Sequence, residues 1–166
     1  MEVQLANQQM AQAIKQVVKK AFLTSEHGYQ GEAELVEDLR DSTTPTFERV
    51  VIWNQHLVGH MLLSEANVAE SKGLVLAPLS VLPAFQRHGV GKALMASAEE
   101  IAKDYDYAFI SILGDSQYYG RFGYQPAKNF EIKAPMDVPD EAFLIKRFTQ
   151  TVQQPGILEY APAFGI

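Results

Sequence analysis

The first forty residues change from a strand-like to a helix-like spacing of hydrophobic positions. Residues 2–5 alternate polar and apolar side chains, which predicts a short strand. Over residues 7–22 the apolar positions recur every three or four residues, which predicts a helix with one face in the core. A second amphipathic helix is predicted over residues 32–40, before the helix-breaking segment 43–45.

The middle of the chain has the alternation and the turn residues of a β-hairpin. Strands are predicted over residues 47–53 and 57–64, joined by the turn Asn54-Gln55-His56. A polar segment, residues 65–72, is expected to separate this hairpin from a strand over residues 73–82.

The second half of the chain continues to alternate helices and strands. A helix is predicted over residues 89–103, and an apolar, central strand over residues 107–113. A short helix then carries a tyrosine pair and stops at Gly123. Further strands are predicted over residues 130–133 and 143–148, and residues 157–160 of the Pro-interrupted tail could form one more. Without that tail segment the order is β-α-α-β-β-β-α-β-α-β-β, which predicts an α/β fold around a mixed sheet.

Composition narrows the class of protein without defining its function. A chain of 166 residues with 47% hydrophobic content predicts a single domain over residues 1–166 with a substantial core. The net charge of −6 argues against a nucleic-acid-binding surface, and the absence of cysteine excludes disulfides and thiolate chemistry. Because no signal peptide or run of about 18 apolar residues is visible, we expect no membrane span and a cytoplasmic location.

Residues 79–94 carry the most informative pattern, a buried strand and a short turn leading into a helix. Gly89 and Gly91 lie where the helix begins, and they would let a ligand approach the backbone closely. The start of a helix leaves N–H groups unpaired and carries the positive end of the helix dipole, so it suits a phosphate or pyrophosphate. Lys92 is not followed by Ser or Thr, and no G-x-G-x-x-G is present, so these spacings disfavour a P-loop and a dinucleotide-binding site.

The pattern that does occur here is Gln86-x-x-Gly89-x-Gly91. It resembles the pyrophosphate loop of the GNAT superfamily of acyl-CoA-dependent N-acyltransferases. The six residues alone are a weak signal, but a strand precedes them and an Ala- and Leu-containing helix follows, as the family requires.

A second block, residues 113–124, reads LGDSQYYGRFGY. Its Tyr119 stands four residues before the pair Gly123-Tyr124, and this spacing is similar to that of the tyrosine beside the CoA sulfur in GNAT enzymes. The block is most similar to the branch labelled YhbS-like. Both blocks together make the resemblance specific, and it spans roughly residues 30–165.

The resemblance implies a GNAT-like fold, with a mixed central β-sheet flanked by helices. It further implies that strands 73–82 and 107–113 splay apart and that the pantetheine arm of acetyl-CoA lies in the wedge between them. The N–H groups of residues 87–92 would bind the pyrophosphate, with charge from Arg87 and Lys92. Arg87 and His88 could instead be solvated surface residues. The residues expected to contact acetyl-CoA are Leu79, Ser80, Val81, Gln86, Arg87, His88, Gly89, Val90, Gly91, Lys92 and Asp115.

Tyr119 is the candidate general acid. The thiolate that leaves an acyl thioester needs a proton, and a phenol can donate it. Tyr119 could alternatively be a packing residue, whereas Tyr118 points about 100° away on a helix and cannot share the role. Asp115 occupies an N-cap position, so capping is its default role. Ile112 is a departure, since many GNAT enzymes carry Asn about seven residues before the tyrosine, and this leaves the cofactor contacts near the second block in doubt.

The general base cannot be assigned from the sequence. Glu32 is slightly preferred, because the first helix pair borders the acceptor groove in the family that the chain resembles. The other candidates are a water molecule and the side chains of Glu34, His27, His60 and Asp115. His60, on an alternating strand, is more simply interpreted as a packed or hydrogen-bonded histidine. No cluster of His, Asp and Glu has the spacing of a metal site.

The leading hypothesis is an N-acetyltransferase that uses acetyl-CoA and a primary amine, reacting by direct attack in a ternary complex because the chain has no cysteine and no activated serine is evident. The alternative is a non-catalytic acyl-CoA-binding sensor or partner protein. The acceptor and the acyl chain length stay open. Tyr160 and Phe164 could close over the acceptor site or form a contact in a homodimer.

Overall fold

Nine strands and four α-helices occur in the residues described by the computed structural model, which are 1–149 and 155–166. The helices are α1 (Ala11–Leu23), α2 (Glu32–Asp41), α3 (Val90–Asp104) and α4 (Ser116–Gly120). The strands are β1 (Glu2–Leu5), β2 (Thr46–Trp53), β3 (His56–Val68), β4 (Ser71–Val81), β5 (Phe109–Leu113), β6 (Gln125–Pro126), β7 (Ile132–Lys133), β8 (Phe143–Arg147) and β9 (Gly156–Glu159).

The chain forms two compact units, one comprising residues 1–63 and 77–98 and the other residues 64–76 and 99–166. Strands β3 and β4 and helix α3 each contribute residues to both. In the first unit the strand order is β1-β2-β3-β4, and in the second β4-β5-β8-β6, with β9 pairing with β3 and β7. Parallel and antiparallel pairs both occur, so the sheet is mixed, as predicted. The single domain over residues 1–166 stays a prediction.

In the first unit, helices α1 and α2 pack on each other and bury one face each, as their hydrophobic spacing predicts. Strand β3 meets helix α3 at Gly59. A Cβ atom on Gly59 would lie 2.7 Å from Val90 Cγ1, so only glycine allows so close an approach. This packing fixes the first turn of α3, which is the turn that the loop motif enters.

In the second unit, strand β5 is central. It runs parallel to β4, with Leu74 opposite Ile110 and Val75 opposite Ser111, and antiparallel to β8 over its whole length. The recorded register between β4 and β5 stops at Val75 and Ser111, and β5 remains paired with β8 to its last residue, Leu113. Helix α4 begins at Ser116, three residues after β5 ends. Because this connection is short and β5 is paired along its whole length, the strand fixes where the helix begins.

The hairpin between β3 and β4 is longer than the sequence predicts. Residues 65–68, expected to belong to a polar connection, continue strand β3, and the turn is only at residues 69–70. Ala66 and Val68 are buried while Glu65 and Asn67 are half-buried, so a two-residue alternation is hidden in a polar segment. The polar positions have partners, since Tyr107 Oη donates to Glu65 Oε2 at 2.8 Å and Asn67 pairs with Glu159 of β9.

Other elements agree with their predicted positions to within a few residues. Helix α1 begins at Ala11 rather than near Asn7, because a 3₁₀ turn comes first and Asn7 Oδ1 accepts from the N–H of Met10 at 3.2 Å. The strand expected over residues 130–133 is confined to Ile132–Lys133, after another 3₁₀ turn.

Candidate functional site

The loop between β4 and α3 has a backbone that only a few residue types adopt readily. After β4 ends, a 3₁₀ turn spans Pro83–Phe85, and Arg87 and Gly89 then have φ angles of 65° and 85°. Glycine adopts this left-handed conformation without strain, whereas Arg87 pays a conformational penalty. A Cβ atom on Gly89 would meet no atom within 4 Å, so the space beside Gly89 is open. Gly91 lies in the first turn of α3, outside the left-handed region.

The backbone donors of this loop are available to a ligand. Along the described chain, the N–H groups of residues 87–92 have no recorded protein acceptor, and the first helical bond runs from the N–H of Ala93 to the carbonyl of Gly89 at 3.0 Å. Arg87 and Lys92 are exposed. Unpaired donors at the start of a fifteen-residue helix, with two cations beside them, form a site for an anion.

Two side chains of the motif bind the loop itself. Gln86 Nε2 donates to the carbonyl of Val81 at 3.3 Å, and His88 Nδ1 lies 2.8 Å from the carbonyl of Gln86. The Gln86 bond ties the loop to the end of β4, and the His88 bond lies within the loop. Leu79 and Val81 are half-buried on that strand, whereas Ser80 is 1% exposed and its Oγ has no partner among the described residues. Their roles as cofactor contacts stay predictions.

Trp53, at the end of β2, packs against this loop, and sequence reasoning missed it. Its ring centroid lies 5.6 Å from that of Phe85 and 5.8 Å from that of His88. His88, although exposed, therefore contacts both the Trp53 ring and the carbonyl of Gln86. A tryptophan that ends a strand carries no signal of its distant partner, so the contact could not be predicted.

In the second unit, Tyr119 lies on α4, and the predicted N-cap of this helix is confirmed. Asp115 Oδ1 accepts from the N–H of Gln117 at 2.9 Å, and the Asp115 carbonyl accepts from the N–H of Tyr119 at 3.0 Å. A Cβ atom on Gly114 would lie 2.6 Å from Tyr119 Cε2, so the glycine leaves room for the ring. The structure thus brings Asp115 and Tyr119 onto one turn, while a contact of Asp115 with the cofactor stays a prediction.

Gly123 and Tyr124 close helix α4 with a Schellman motif. The N–H of Tyr124 donates to the carbonyl of Tyr119 at 3.3 Å, and that of Gly123 to the carbonyl of Gly120 at 3.0 Å. Gly123 has φ of 90°, the left-handed conformation that this cap requires. The Tyr124 ring packs on the Tyr119 ring with centroids 6.3 Å apart, which is the hydrophobic contact that accompanies the motif. The spacing from Tyr119 to Gly123 therefore has a structural cause.

The environment of Tyr119 keeps its hydroxyl protonated. Burial, with smaller contributions from Tyr118 and Asp115, raises the pKa of Tyr119 well above its ordinary value. The ring is half-buried and packs edge-on against Tyr118, with centroids 4.9 Å apart. The Tyr118 ring also contacts Phe122 and lies 4.8 Å from the Arg121 guanidinium. Chemically, Tyr119 is a proton donor at neutral pH.

The candidate bases have different surroundings. Glu32 is half-buried at the start of α2, and its Oε2 accepts from the N–H of Gln30 at 2.7 Å. Glu34 accepts from the Tyr29 hydroxyl, and this bond lowers the pKa of Glu34. His27 is exposed. Each of these residues belongs to the first unit, and their role as a base stays a prediction.

His60 belongs to a charged network that sequence reasoning missed. It is fully buried, and its Nε2 lies 2.7 Å from Glu48 Oε1, so the prediction of a hydrogen-bonded histidine is confirmed. Arg40 of α2 donates to both carboxylate oxygens of Glu48, at 2.6 and 3.2 Å. Burial alone would raise the pKa of Glu48, but the bonds from His60 and Arg40 hold it below its usual range. In the sequence, the sign of this network is that a charged residue, Glu48, lies on the core-facing side of a predicted strand.

We expect Glu48→Gln to destabilise the fold by about 1–3 kcal/mol at neutral pH, since it removes the charge that pairs with Arg40 and His60. The folded-state pKa of Glu48 is lowered, so its stabilisation is present above the unfolded value of about 4.3 and is lost as pH falls through the folded value. Urea unfolding should show a weaker loss of stability on acidification in the variant. Glu37→Gln, in a pair with Lys15 whose side chains are 45% and 33% exposed, is the control and should change little. Equal acid sensitivity of parent and Glu48→Gln would contradict the assignment.

Two further features of the described ranges bear on the class of site. Within residues 1–149 and 155–166, no three His, Asp or Glu side chains are grouped so as to hold a metal ion. In the same residues, none of the helices is both long and apolar enough to cross a membrane. Tyr160 and Phe164 pack on each other with ring centroids 5.0 Å apart, and their role over an acceptor or in a dimer stays a prediction.

Known proteins resemble this chain over a region that contains both the loop block and the Tyr119 block. The sequence pattern of the Acetyltransferase (GNAT) family matches residues 11–124, which include the loop and the Tyr119 helix. The uncharacterized N-acetyltransferase YjhQ of Escherichia coli K12 is 30% identical over 138 residues, covering 79% of this chain and 74% of YjhQ. The uncharacterized N-acetyltransferase YhbS of the same strain is 25% identical over 149 residues, covering 87% and 89%.

Solved structures show the same fold. The crystal structure of E. coli YhbS in complex with CoA superimposes with a TM-score of 0.87 at 23% identity, covering 99% of this chain and 92% of YhbS. A GNAT family acetyltransferase from Brucella melitensis in complex with acetyl-CoA gives a TM-score of 0.82 at 26% identity, covering 98% and 97%. The predicted α/β fold is confirmed. The matched pattern, the relatives and the fold agree, and the chain belongs to the acetyltransferase (GNAT) family.

Proposed function

We propose that this chain transfers an acetyl group from acetyl-CoA to a primary amine by direct attack in a ternary complex. The family is one of acetyltransferases, and the E. coli and B. melitensis neighbours bind CoA and acetyl-CoA. The observation that carries the proposal is the loop over residues 86–91, in which residues 86–89 are exposed. The N–H groups of residues 87–91, unpaired within the described chain, suit the pyrophosphate of CoA.

The loop fits the nucleotide end of CoA in shape and in charge. The open space beside Gly89 gives phosphate oxygens access to the backbone, and the exposed Arg87 and Lys92 complement their charge. Pantetheine resembles a peptide, so it pairs with the main chain of Leu79 and Val81 as an added strand would. This contact makes few demands on side chains, which explains how it tolerates ordinary apolar residues.

Tyr119 supplies the proton that the reaction needs. The amine nitrogen forms a bond to the thioester carbonyl carbon, the carbon–sulfur bond breaks, and the sulfur leaves as a thiolate that takes the Tyr119 proton. The proton that the nitrogen loses as the amide forms passes to water, and water returns a proton to the Tyr119 phenolate. A phenol is protonated at neutral pH, so this hydroxyl has a proton to donate. The N–H of Val81 polarises the carbonyl as charge develops on its oxygen. Because the chain has no cysteine, the acetyl group passes to the amine without a thioester on the protein.

Glu32 takes the proton of the ammonium acceptor, directly or through water. Two of the alternatives have other roles in the structure, since His60 is fully buried against Glu48 and Asp115 caps α4. Glu32 and Glu34 each accept one hydrogen bond, from the N–H of Gln30 and from the Tyr29 hydroxyl, so Glu34, the exposed His27 and water are the competitors of Glu32. The acceptor itself is a primary amine of unspecified size.

The pH dependence of thiol release with a panel of amines tests this proposal. The rate should rise with pH, because the amine reacts only after it loses its proton. Glu32→Gln should flatten the acidic limb and leave acetyl-CoA binding unchanged. Glu37→Gln, on the same helix and paired with Lys15, is the control and should keep the parent profile.

Two results would argue against parts of the proposal. If the acidic limb of the pH profile follows the acceptor's own pKa in both the parent and Glu32→Gln, the base is water and not Glu32. Acetyl-CoA that stabilises the fold while no amine accelerates thiol release would instead indicate a non-catalytic binding protein.

A further inference from the structure

Lys146, on strand β8, holds the turn that closes the Tyr119 helix. Its Nζ donates to the carbonyl of Phe122 at 2.7 Å and forms an ion pair with Glu99 of helix α3. The Lys146 and Glu99 side chains are 30% and 15% exposed, so both charges lie largely away from water. All of these residues belong to the second unit.

The bond to Phe122 satisfies a carbonyl that the helix leaves without a partner. Phe122 is the last residue before the left-handed Gly123, and carbonyls at this position have no intrahelical donor. The lysine passes directly beside Gly123, since a Cβ atom there would be in van der Waals contact with it, 3.4 Å from Lys146 Cε and 3.5 Å from Nζ. Lys146 therefore lies against the glycine that caps the helix.

The same turn bonds to Tyr119 directly. The carbonyl of Tyr119 accepts from the N–H of Phe122 at 3.0 Å and from the N–H of Tyr124 at 3.3 Å. The Tyr124 ring packs on Tyr119 and has Lys146 Nζ 5.9 Å from its centroid, while the Tyr124 hydroxyl is buried without a partner among the described residues. Because of these contacts, displacement of the Lys146 side chain would shift both the backbone and the ring of Tyr119.

We propose that Lys146, held by Glu99, is a positioning residue that fixes the Tyr119 hydroxyl for proton transfer, an inference that rests on the proposed role of Tyr119. A largely buried ion pair is weak evidence for stability, because removing two charges from water offsets much of their attraction. The Lys146–Glu99 pair instead holds the turn in one geometry, which an apolar replacement would not do. Lys146 itself is not a proton donor in this account.

The test compares Lys146→Met and Lys146→Arg with the parent. We expect Lys146→Met to lower kcat roughly 10- to 100-fold through misplacement of Tyr119, with the acceptor KM and the acetyl-CoA Kd within about twofold of the parent. Lys146→Arg, which keeps the charge and the donors, should recover most of the loss. Lys133→Met, an exposed lysine in the same unit, should leave kcat unchanged.

A double-mutant cycle separates positioning from general destabilisation. In a Tyr119→Phe background the same Lys146→Met change should lower kcat by less than about threefold, since the hydroxyl that it positions is already gone. An equal loss in both backgrounds, or no loss in the parent, would overturn the inference. If Tyr119→Phe alone has no effect on kcat, the proposed role of Tyr119 fails instead.

A second variant covers the case in which Lys146→Met does not fold. Glu99→Gln keeps the lysine but removes its ionic partner, so it should lower kcat in the same direction by a smaller factor. That loss should also disappear in the Tyr119→Phe background. If Glu99→Gln still lowers kcat by the same factor in the Tyr119→Phe background, the inference is contradicted, just as it is by an equal loss for Lys146→Met in both backgrounds.

Discussion

Tyr119→Phe is expected to lower kcat roughly 10²- to 10⁴-fold, the range that loss of a general acid produces, while the acetyl-CoA dissociation constant stays within about twofold. The hydroxyl acts when the thiolate leaves, so it contributes to the transition state and not to the bound ground state. The ring itself is retained, and with it the packing against Tyr118 and Tyr124. Steady-state kinetics and calorimetry together measure the two effects.

Tyr118→Phe is the matched control for this change. It removes a hydroxyl one residue away and keeps the contacts of the ring with Phe122 and Arg121. Its kcat should stay close to that of the parent. If both variants turn over as fast as the parent, Tyr119 is a packing residue, and if Tyr119→Phe loses acetyl-CoA affinity instead, its hydroxyl is a binding group.

The second large effect is expected at the loop glycines. Gly91→Val places a branched side chain among the free N–H donors, and Gly89→Ala strains a backbone at φ of 85°. Each should weaken CoA binding at least about 10-fold, which corresponds to about 1.4 kcal/mol. Calorimetry should show no such change for pantetheine, which lacks the pyrophosphate and does not reach these donors.

Gly165→Ala controls for backbone strain at Gly89. Gly165 also has a positive φ, 70°, and open space around it, but it lies in the C-terminal segment. The two alanine variants should lose similar stability, while only Gly89→Ala should lose CoA affinity. Parent-like CoA affinity in both Gly91→Val and Gly89→Ala would remove the loop from the binding site.

The main elements of the fold could be predicted because their hydrophobic periods are strong. The buried faces of α1 and α2, the central strand β5 and the start of α3 all follow from spacing along the chain. The sequence predicts too short a β3–β4 hairpin because Glu65 and Asn67 are polar residues of types that are common in loops. Their partners, Tyr107 and β9, come from distant parts of the sequence.

The candidate site was predictable where its geometry is local. Gly89 and the Asp115 cap are recognisable from neighbours within a few positions. The Lys146–Glu99 pair joins residues 47 positions apart, and a lysine on a short strand gives no sign of which carbonyl it reaches.

The Arg40–Glu48–His60 network was missed for a related reason. An inward-facing charge on a strand predicts that a partner exists, but it does not say which element supplies it. The pattern of a sequence therefore locates groups that need a partner better than it locates the partner.

The most direct test of acetyl transfer is the mass of the acceptor after reaction. Purified protein is mixed with acetyl-CoA and a panel of primary amines, and each amine is analysed by mass spectrometry beside a thiol assay. The account predicts at least one amine that gains a single acetyl group in step with CoA release, with the protein itself unmodified and with Tyr119→Phe far slower. Tight acetyl-CoA binding with no acetylated amine, or with the acetyl group retained on the protein, would contradict it.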